Sequence, residues 1–217
     1  MKLELDLKEV QRYLNYQGEL DSNTKANIDK GLVILEDIIR PKYLARRFDI
    51  SNDNNKVIIK DTSIIIESKS LSKHLIDCDE IIILVATLGL ALDQEIKKLE
   101  INDIGLAYVI NALATEYIEK YLDYLQLEIL PNDKYHSSRY SIGYGDVDLK
   151  YQNDILSLLN SAKLIGVNLL DSNLMVPSKS ITAIIGLSSK KIANNLSKCH
   201  LCLPNGKCSG KCLEVNK

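Results

Sequence analysis

The sequence lacks the features that mark several classes of protein. Its 217 residues carry 27 basic and 29 acidic side chains, so it has no excess of positive charge for nucleic acid. The longest apolar run, residues 81–86, is much shorter than a membrane span. The first residues mix charged and apolar side chains, where a signal peptide would have an apolar core. We therefore expect a soluble cytoplasmic protein with no nucleic-acid or membrane partner.

Common catalytic motifs are missing as well. The sequence contains no P-loop, no Rossmann glycine fingerprint and no Ser/His/Asp order. His74, His136 and His200 show no metal-ligand spacing, and each is predicted to be structural or exposed. Cys78 opens a β-branched segment and is predicted to be a small buried side chain.

The hydrophobic pattern predicts helices and strands in irregular order. Helical spacing occurs within about 6–40 and over about 91–99, 103–127 and 151–164. Extended segments are predicted at 43–48, 57–59, 63–66, 80–86, 138–142, 169–176 and 180–187. Because no regular βαβ alternation appears, an α+β fold is favoured over a doubly wound sheet.

Four of the five cysteines lie near the carboxyl terminus, at Cys199, Cys202, Cys208 and Cys212. Clustered thiols without a secretion signal favour a metal or cluster over disulfides. Four close thiolates suit tetrahedral zinc or an iron–sulfur cluster, and their spacing does not choose between the two. Four free thiols remain the simpler alternative. We predict a domain over residues 1–196 and a metal-binding tail over 197–217.

Residues 139–146, with the sequence RYSIGYGD, form the second candidate site. Gly143 and Gly145 flank Tyr144 and permit close backbone approach to a ligand. Arg139 could bind a carboxylate or phosphate through its forked guanidinium. A tight turn with Arg139 in a surface ion pair is the simpler interpretation of the same pattern.

Glu116 lies in the middle of the strongest predicted helix. The helical spacing places it on the polar face, opposite the apolar stripe, where Lys120 would support it from one turn away. The pattern therefore predicts a solvated residue. A carboxylate at this position could alternatively pair with a cationic ligand.

Several stretches share one order with a known family. They read NALATEY at 111–117, RYSIGY at 139–144, IGVNL at 165–169 and MVPSKSIT at 175–182. This order resembles the activation domain of cobalamin-dependent methionine synthase, whose motifs include Asp-x-Leu-Ala-Glu-Ala-Phe and Arg-Pro-x-Pro-Gly-Tyr-Pro. Residues 78–89 are similar to short stand-alone relatives of that domain. The core of the resemblance spans about residues 75–190.

The resemblance implies a fold and a function. Domains of this family bind S-adenosylmethionine beside a twisted antiparallel sheet with flanking helices. They cap the cobalamin domain of methionine synthase when the cofactor has oxidised to cob(II)alamin. A one-electron donor then reduces the cobalt, and S-adenosylmethionine supplies the methyl group that restores methylcobalamin.

The resemblance also implies roles for individual residues. Arg139 maps onto the arginine that holds the methionine moiety, and Ser141 onto the small residue that offers backbone atoms. Tyr144 maps onto the tyrosine that faces the corrinoid and is our catalytic candidate. Gly143 completes the ligand-binding segment. With Arg139 assigned to the carboxylate of the ligand, Glu116 is the candidate partner for its sulfonium cation.

The chain departs from the family at two places. The family's Gly-Trp-Tyr-Phe segment reads AIIG at 183–186, so the aromatic pair becomes Ile185 and Gly186. The family's Pro-Ala-Cys-Pro reads GDVD at 145–148. Without the aromatic contacts, we expect weak binding of S-adenosylmethionine by the isolated chain.

The sequence therefore predicts reductive reactivation of a cobalamin-dependent methionine synthase or a related corrinoid methyltransferase. The partner would carry the cobalamin, and an electron donor such as flavodoxin or ferredoxin would supply the electron. Two alternatives stay open at this stage. The chain could be a metal-stabilised docking module that binds no S-adenosylmethionine, or an iron–sulfur electron-transfer protein.

Overall fold

A computed structural model describes residues 3–53 and 55–192. The helices are α1 (Leu7–Tyr13), α2 (Ser22–Ile38), α3 (Lys69–His74), α4 (Leu90–Asn102), α5 (Ile104–Ile129), α6 (Tyr151–Leu158) and α7 (Ser161–Ile165). The strands are β1 (Lys42–Asp53), β2 (Lys56–Ile59), β3 (Ile65–Glu67), β4 (Glu80–Thr87), β5 (Tyr135–His136), β6 (Asn168–Leu169), β7 (Met175–Val176) and β8 (Ser180–Ser188).

The predicted α+β class with an antiparallel sheet is confirmed. Within the described residues, six strands form one sheet in the order β3-β2-β1-β4-β8-β5. Antiparallel pairing is explicit where Ile50 lies opposite Ile59 and where His136 lies opposite Leu187. Among the helices of this part of the chain, none has the length and apolar character that a membrane crossing requires.

The chain divides into two compact units. The helical unit comprises Met1–Leu44, Val85–Ile129 and Asn160–Ile181. The sheet unit comprises Ala45–Leu84, Leu130–Leu159 and Thr182–Lys217. Strands β1, β4 and β8 have residues in both units.

Helix α5 is the centre of the helical unit. Helices α1, α2 and α4 all pack against it, and Ile110, Leu113 and Leu125 are completely buried. Each such side chain contributes about 1.5–3 kcal/mol relative to an exposed position. Helix α2 approaches α5 closely at Gly31, where a Cβ atom would lie 2.8 Å from Cδ1 of Leu113. Three other helices of the unit therefore hold α5 in place.

The sheet unit is built around β4. Its residues Ile81–Leu84 are buried, which explains the continuous β-branched and aliphatic sequence. On one side, the Ile50 amide donates to the Asp79 carbonyl, and on the other the Asp79 amide donates to the Leu187 carbonyl. The segment thus lies between β1 and β8, as expected for a central strand.

The structure differs from the sequence pattern in three segments. The helix expected over 151–164 is interrupted at Asn160, whose φ of 53° is left-handed and ends the helical hydrogen bonding. The extended segment expected over 169–176 is a hairpin of β6 and β7. The strand expected over 138–142 is reduced to one bridge between Tyr140 and Ile184. Helix α3 was not predicted.

A buried polar pair in the sheet unit provides a stability test. Thr182 and Gln152 are each 3% exposed, and the Gln152 Nε2 donates to the Thr182 hydroxyl over 3.0 Å. Replacing Thr182 by Val leaves this amide without the hydroxyl, so we expect a loss of about 1–3 kcal/mol in the free energy of unfolding. Urea denaturation of Thr182→Val measures it. The double variant with Gln152→Leu should lose less than the sum of the two single variants, and additive losses would contradict the coupling.

Candidate functional site

Residues 139–146 lie beside β8 in the sheet unit. The Tyr140 amide donates to the Ile184 carbonyl over 2.9 Å, and the Ile184 amide donates to the Tyr140 carbonyl over 2.7 Å. The Tyr140 ring is completely buried. Its hydroxyl lies 2.7 Å from the Ser70 hydroxyl and 2.9 Å from the Tyr144 carbonyl, to which it donates. Tyr140 therefore joins β8 through its backbone, and α3 and the following turn through its hydroxyl.

Asp146 anchors the other end of this segment to α3. Its carboxylate accepts hydrogen bonds from the Lys69 amide over 2.9 Å and the Ser70 amide over 3.1 Å, and from the hydroxyls of Ser68 and Ser70. Burial alone would raise the pKa of Asp146, but these hydrogen bonds outweigh it and hold the pKa below its ordinary value. The carboxylate therefore stays ionised at neutral pH.

The two glycines of the segment are required by its geometry. Gly143 has a φ of +92°, and a Cβ atom there would lie 2.7 Å from Cδ2 of Leu149. Gly145 has a φ of +57°, and a Cβ atom there would lie 2.7 Å from the Tyr140 hydroxyl. Both positions favour glycine, and a Cβ atom at Gly145 would also overlap the Ser70 hydroxyl of α3.

The predicted site residues of this segment differ in exposure. Arg139 is only 9% exposed, which contradicts the simpler interpretation of a surface ion pair. Ser141 is partly exposed, and its carbonyl accepts from the Tyr144 amide over 3.2 Å. The Tyr144 side chain is 44% exposed and is therefore available to a partner. Arg139, Ser141, Gly143 and Tyr144 thus lie together on one fixed segment.

His74 supports this segment from α3. Its Nε2 lies 2.9 Å from the Ser138 carbonyl, and its ring is 5.2 Å from that of Tyr140. Burial lowers the pKa of His74, although the Ser138 carbonyl opposes the shift. The buried Nδ1 has no hydrogen-bond partner among the described residues. A neutral His74 therefore fits the predicted structural role.

Glu116 is not the solvated residue that helical spacing predicts. It lies in the helical unit and is 3% exposed. Its Oε1 accepts from the Asp6 amide over 3.2 Å and lies 3.7 Å from Nζ of Lys120. Burial raises the pKa of Glu116, which these two partners only partly offset. The carboxylate thus holds the residues before α1 against α5.

A second polar cluster occurs in the helical unit, around the loop before β8. Asp93 of α4 accepts from the Ser178 amide over 2.8 Å and from its hydroxyl over 2.6 Å. The neighbouring Lys179 donates from Nζ to the Thr115 hydroxyl over 2.8 Å. Burial lowers the pKa of Lys179, and Asp93 opposes that shift. This loop therefore carries a partly buried ammonium group.

Packing explains why the chain has no aromatic pair at 185–186. Ile185 is completely buried in β8. At Gly186 a Cβ atom would overlap Sγ of Cys78 and lie 2.7 Å from Cδ2 of Leu75. No side chain of any size fits at Gly186 while Cys78 and Leu75 keep their places. The packing of the core therefore excludes an aromatic side chain at position 186.

The described residues contain no metal site of the usual kind. Within residues 3–53 and 55–192, no group of three or more His, Cys, Asp or Glu side chains could hold a metal ion. Cys78 is a free, buried thiol, as predicted, and burial raises its pKa to about 11. The predicted ligands Cys199, Cys202, Cys208 and Cys212 lie outside the described residues.

Sequence reasoning missed the residues that fix the candidate segment. Ser68 caps α3 by accepting from the Leu71 amide over 3.0 Å, and Ser70 bonds both Tyr140 and Asp146. The local signal for Ser68 is a serine directly before a short helix. Lys179 was missed too, because a lysine beside Pro177 looks like an ordinary loop residue.

Comparisons with known proteins agree with the resemblance found in the sequence. Residues 111–198 match the family model described as vitamin B12 dependent methionine synthase, activation domain. The fold is similar to that of the MetH reactivation domain bound to AdoHcy, with 16% identity and a TM-score of 0.69. That similarity covers 88% of this chain and 76% of the other. No curated protein matches the chain. The predicted resemblance and fold are therefore confirmed.

The hydrogen bonds of Asp146 give a pH-dependent prediction. Because the folded-state pKa lies below the ordinary value of 3.8, the stabilisation is complete above that value and is lost as the pH falls through the folded-state pKa. We expect Asp146→Ala to lower the free energy of unfolding by about 0.5–2 kcal/mol at pH 7, as for loss of a helix cap. Urea denaturation from pH 7 downwards should show the difference from the unsubstituted chain shrinking in acid.

The exposed Asp171 provides the matched control. Asp171→Ala should leave the free energy of unfolding almost unchanged at every pH. A loss for Asp146→Ala that is equally large in acid would show that the carboxylate acts through its shape and not its charge.

Proposed function

We propose that this chain binds S-adenosylmethionine and reactivates a corrinoid methyltransferase, in the first place a cobalamin-dependent methionine synthase that lacks its own activation domain. The observation that carries this proposal is the family match over residues 111–198. It includes both the Arg139–Tyr144 segment and the loop before β8. The fold similarity to a reactivation domain bound to AdoHcy supports the same function.

The candidate segment suits the methionine end of such a ligand. Arg139 is a largely buried cation next to the β-bridge between Tyr140 and Ile184. Its forked guanidinium matches the geometry of a carboxylate. Ser141 and Gly143 would offer backbone atoms, since neither has a large side chain in the way. Tyr144, which is 44% exposed, would face the corrinoid.

Glu116 keeps its proposed role as partner of the sulfonium with one condition. A ligand that reached its carboxylate would have to displace the Asp6 amide or Lys120, both of which contact it. In the register of the family's Asp-x-Leu-Ala-Glu-Ala-Phe motif, the glutamate position falls on Thr115 and not on Glu116. The Thr115 hydroxyl accepts a hydrogen bond from Nζ of Lys179. The side chain at the family's glutamate position therefore contacts a cation of this chain.

The reaction would be completed on the partner protein. S-adenosylmethionine would supply a methyl group to the reduced cobalt of the partner's cobalamin, after a donor protein such as flavodoxin or ferredoxin had supplied one electron. The residues of this chain would bind the methyl donor, orient it and exclude water from the cobalt.

A second candidate function is docking on a corrinoid protein without S-adenosylmethionine. The packing at Gly186 favours it, because the family's aromatic contacts cannot form there. In that case the segment would serve as a protein-binding surface, with Tyr144 as its exposed aromatic residue.

Calorimetry decides between these two functions. We expect weak binding of S-adenosylmethionine by the isolated chain and tighter binding when the corrinoid partner is present. Arg139→Ala should weaken binding on the order of ten- to a hundredfold, since a charge-assisted hydrogen bond contributes about 1.5–3 kcal/mol. Arg139→Lys should also weaken it, because an ammonium lacks the forked geometry.

Two controls make this result specific. Lys150→Ala removes an exposed cation of the same unit and should bind normally. Thermal melting should confirm that the Arg139 variants are folded. Normal binding by a folded Arg139→Ala variant would assign Arg139 to structure, and no heat with or without the partner would leave docking as the function.

We also propose that Cys199, Cys202, Cys208 and Cys212 bind one metal centre, with an iron–sulfur cluster favoured over zinc because reactivation consumes an electron. Anaerobic purification followed by metal analysis and a visible spectrum tests this. A brown protein that bleaches with dithionite supports the cluster, and a colourless protein with one zinc supports a structural site. A metal-free protein whose Cys208→Ser and Cys212→Ser variants reactivate the partner normally would contradict both.

A further inference from the structure

The helical unit contains a cleft whose lining includes none of the residues proposed to bind S-adenosylmethionine or to face the corrinoid. Its volume is about 570 Å³, within the range of small-molecule sites. Four tyrosines and two glutamates line most of it: Tyr43, Tyr117, Tyr121, Tyr124, Glu36 and Glu128. None of the described residues that line this tyrosine cleft is a lysine, arginine or histidine. It therefore combines aromatic surface with charge of one sign.

Helix α5 supplies one wall of the tyrosine cleft. Tyr117, Tyr121, Tyr124 and Glu128 follow one another at intervals of four, three and four residues, which aligns them on one helical face. Tyr117 and Tyr121 are each 5% exposed and are held by the core. This wall is rigid, because the same helix is the packing centre of the unit.

Tyr43 supplies a second wall from β1. Its ring centroid lies 6.4 Å from that of Tyr121, and the two ring planes meet at 81°. Two aromatic rings at nearly a right angle form a corner. Tyr43 is itself 39% exposed, so this corner opens towards solvent.

The charge of the tyrosine cleft comes from its carboxylates. The Tyr124 hydroxyl donates a hydrogen bond to Oε1 of Glu128, which fixes that carboxylate at the cleft. Burial and the nearby Glu36 raise the pKa of Tyr117, while burial and neighbouring groups raise that of Tyr121 to about 12. The phenols therefore stay neutral, and the two carboxyl side chains are the acidic groups of the cleft.

We propose that the tyrosine cleft binds a small organic cation of the quaternary-ammonium type. Aromatic faces attract such cations through their quadrupoles, and two carboxylates add a long-range attraction. A neutral apolar ligand would gain the ring contacts but not the attraction to the two carboxylates. An anion or a zwitterion would meet direct repulsion from Glu36 and Glu128. This proposal does not rest on the function proposed above.

Choline is a suitable probe, because its neutral isostere 3,3-dimethylbutan-1-ol has the same shape without the charge. Saturation-transfer NMR on the full chain should detect the choline methyl groups. The isostere should give much weaker signals, and so should glycine betaine, which has the same cationic group but also a carboxylate. Tyr43→Ala should weaken choline binding about two- to thirtyfold, the range expected for one cation–π contact. Tyr43→Phe should bind almost normally, since the ring is kept.

Two further variants locate the site. Glu128→Gln should weaken choline binding and leave the isostere unaffected. Tyr108→Ala removes a tyrosine that is 48% exposed on the same helix but outside the cleft, and it should change nothing. Equal binding of choline and its isostere, normal binding by Tyr43→Ala, or binding only of lysine-containing peptides would each overturn the proposal, as would no binding at all.

Discussion

The hydrogen bonds of the Asp146 carboxylate are the constraint on which the candidate segment depends. The carboxylate accepts from the amides of Lys69 and Ser70 and from two serine hydroxyls, so it completes the first turn of α3 with a residue far away in sequence. With Tyr140 bonded to Ile184 at the other end, the intervening turn is fixed at both sides. Residues 145–148 read GDVD where the family's motif has Pro-Ala-Cys-Pro, and here the hydrogen bonds of Asp146 hold the backbone without any proline.

A fixed turn leaves few ways to present ligand-binding groups. Tyr140 is buried, whereas residues 143–146 of the segment, among them Tyr144, are exposed and Ser141 is partly exposed. Arg139 precedes the bridge and is largely buried, where an arginine is costly unless hydrogen-bonded. Its burial restricts the guanidinium to few positions, which would lower the entropy lost if a carboxylate bound there as proposed. In that case the rigidity of the segment would contribute directly to its affinity.

Much of this architecture could be predicted from the sequence, because strong periodicity survives tertiary packing. Helices α2 and α5 and strand β4 lie where their apolar spacing places them. The break at Asn160 has only a weak local signal, since a left-handed asparagine is stabilised by the surrounding structure. The polar face predicted for Glu116 was wrong for a related reason. Spacing shows which residues share a face, but α1 covers that face of α5, and the Asp6 amide there requires a buried acceptor.

The packing around Gly186 bears on how a methyl donor could be bound. Cys78 and Leu75 fill the space that an aromatic side chain at this position would need, so restoring one would break the core. An adenosine moiety must then find its apolar contacts elsewhere, and the exposed ring of Tyr144 is the nearest aromatic surface on the segment. That ring is also the group expected to face the corrinoid. If ligand and partner both contact this fixed ring, each one affects the affinity of the other. Linkage makes the two effects equal, so the tighter binding of the methyl donor expected with the partner implies equally tighter binding of the partner with the methyl donor.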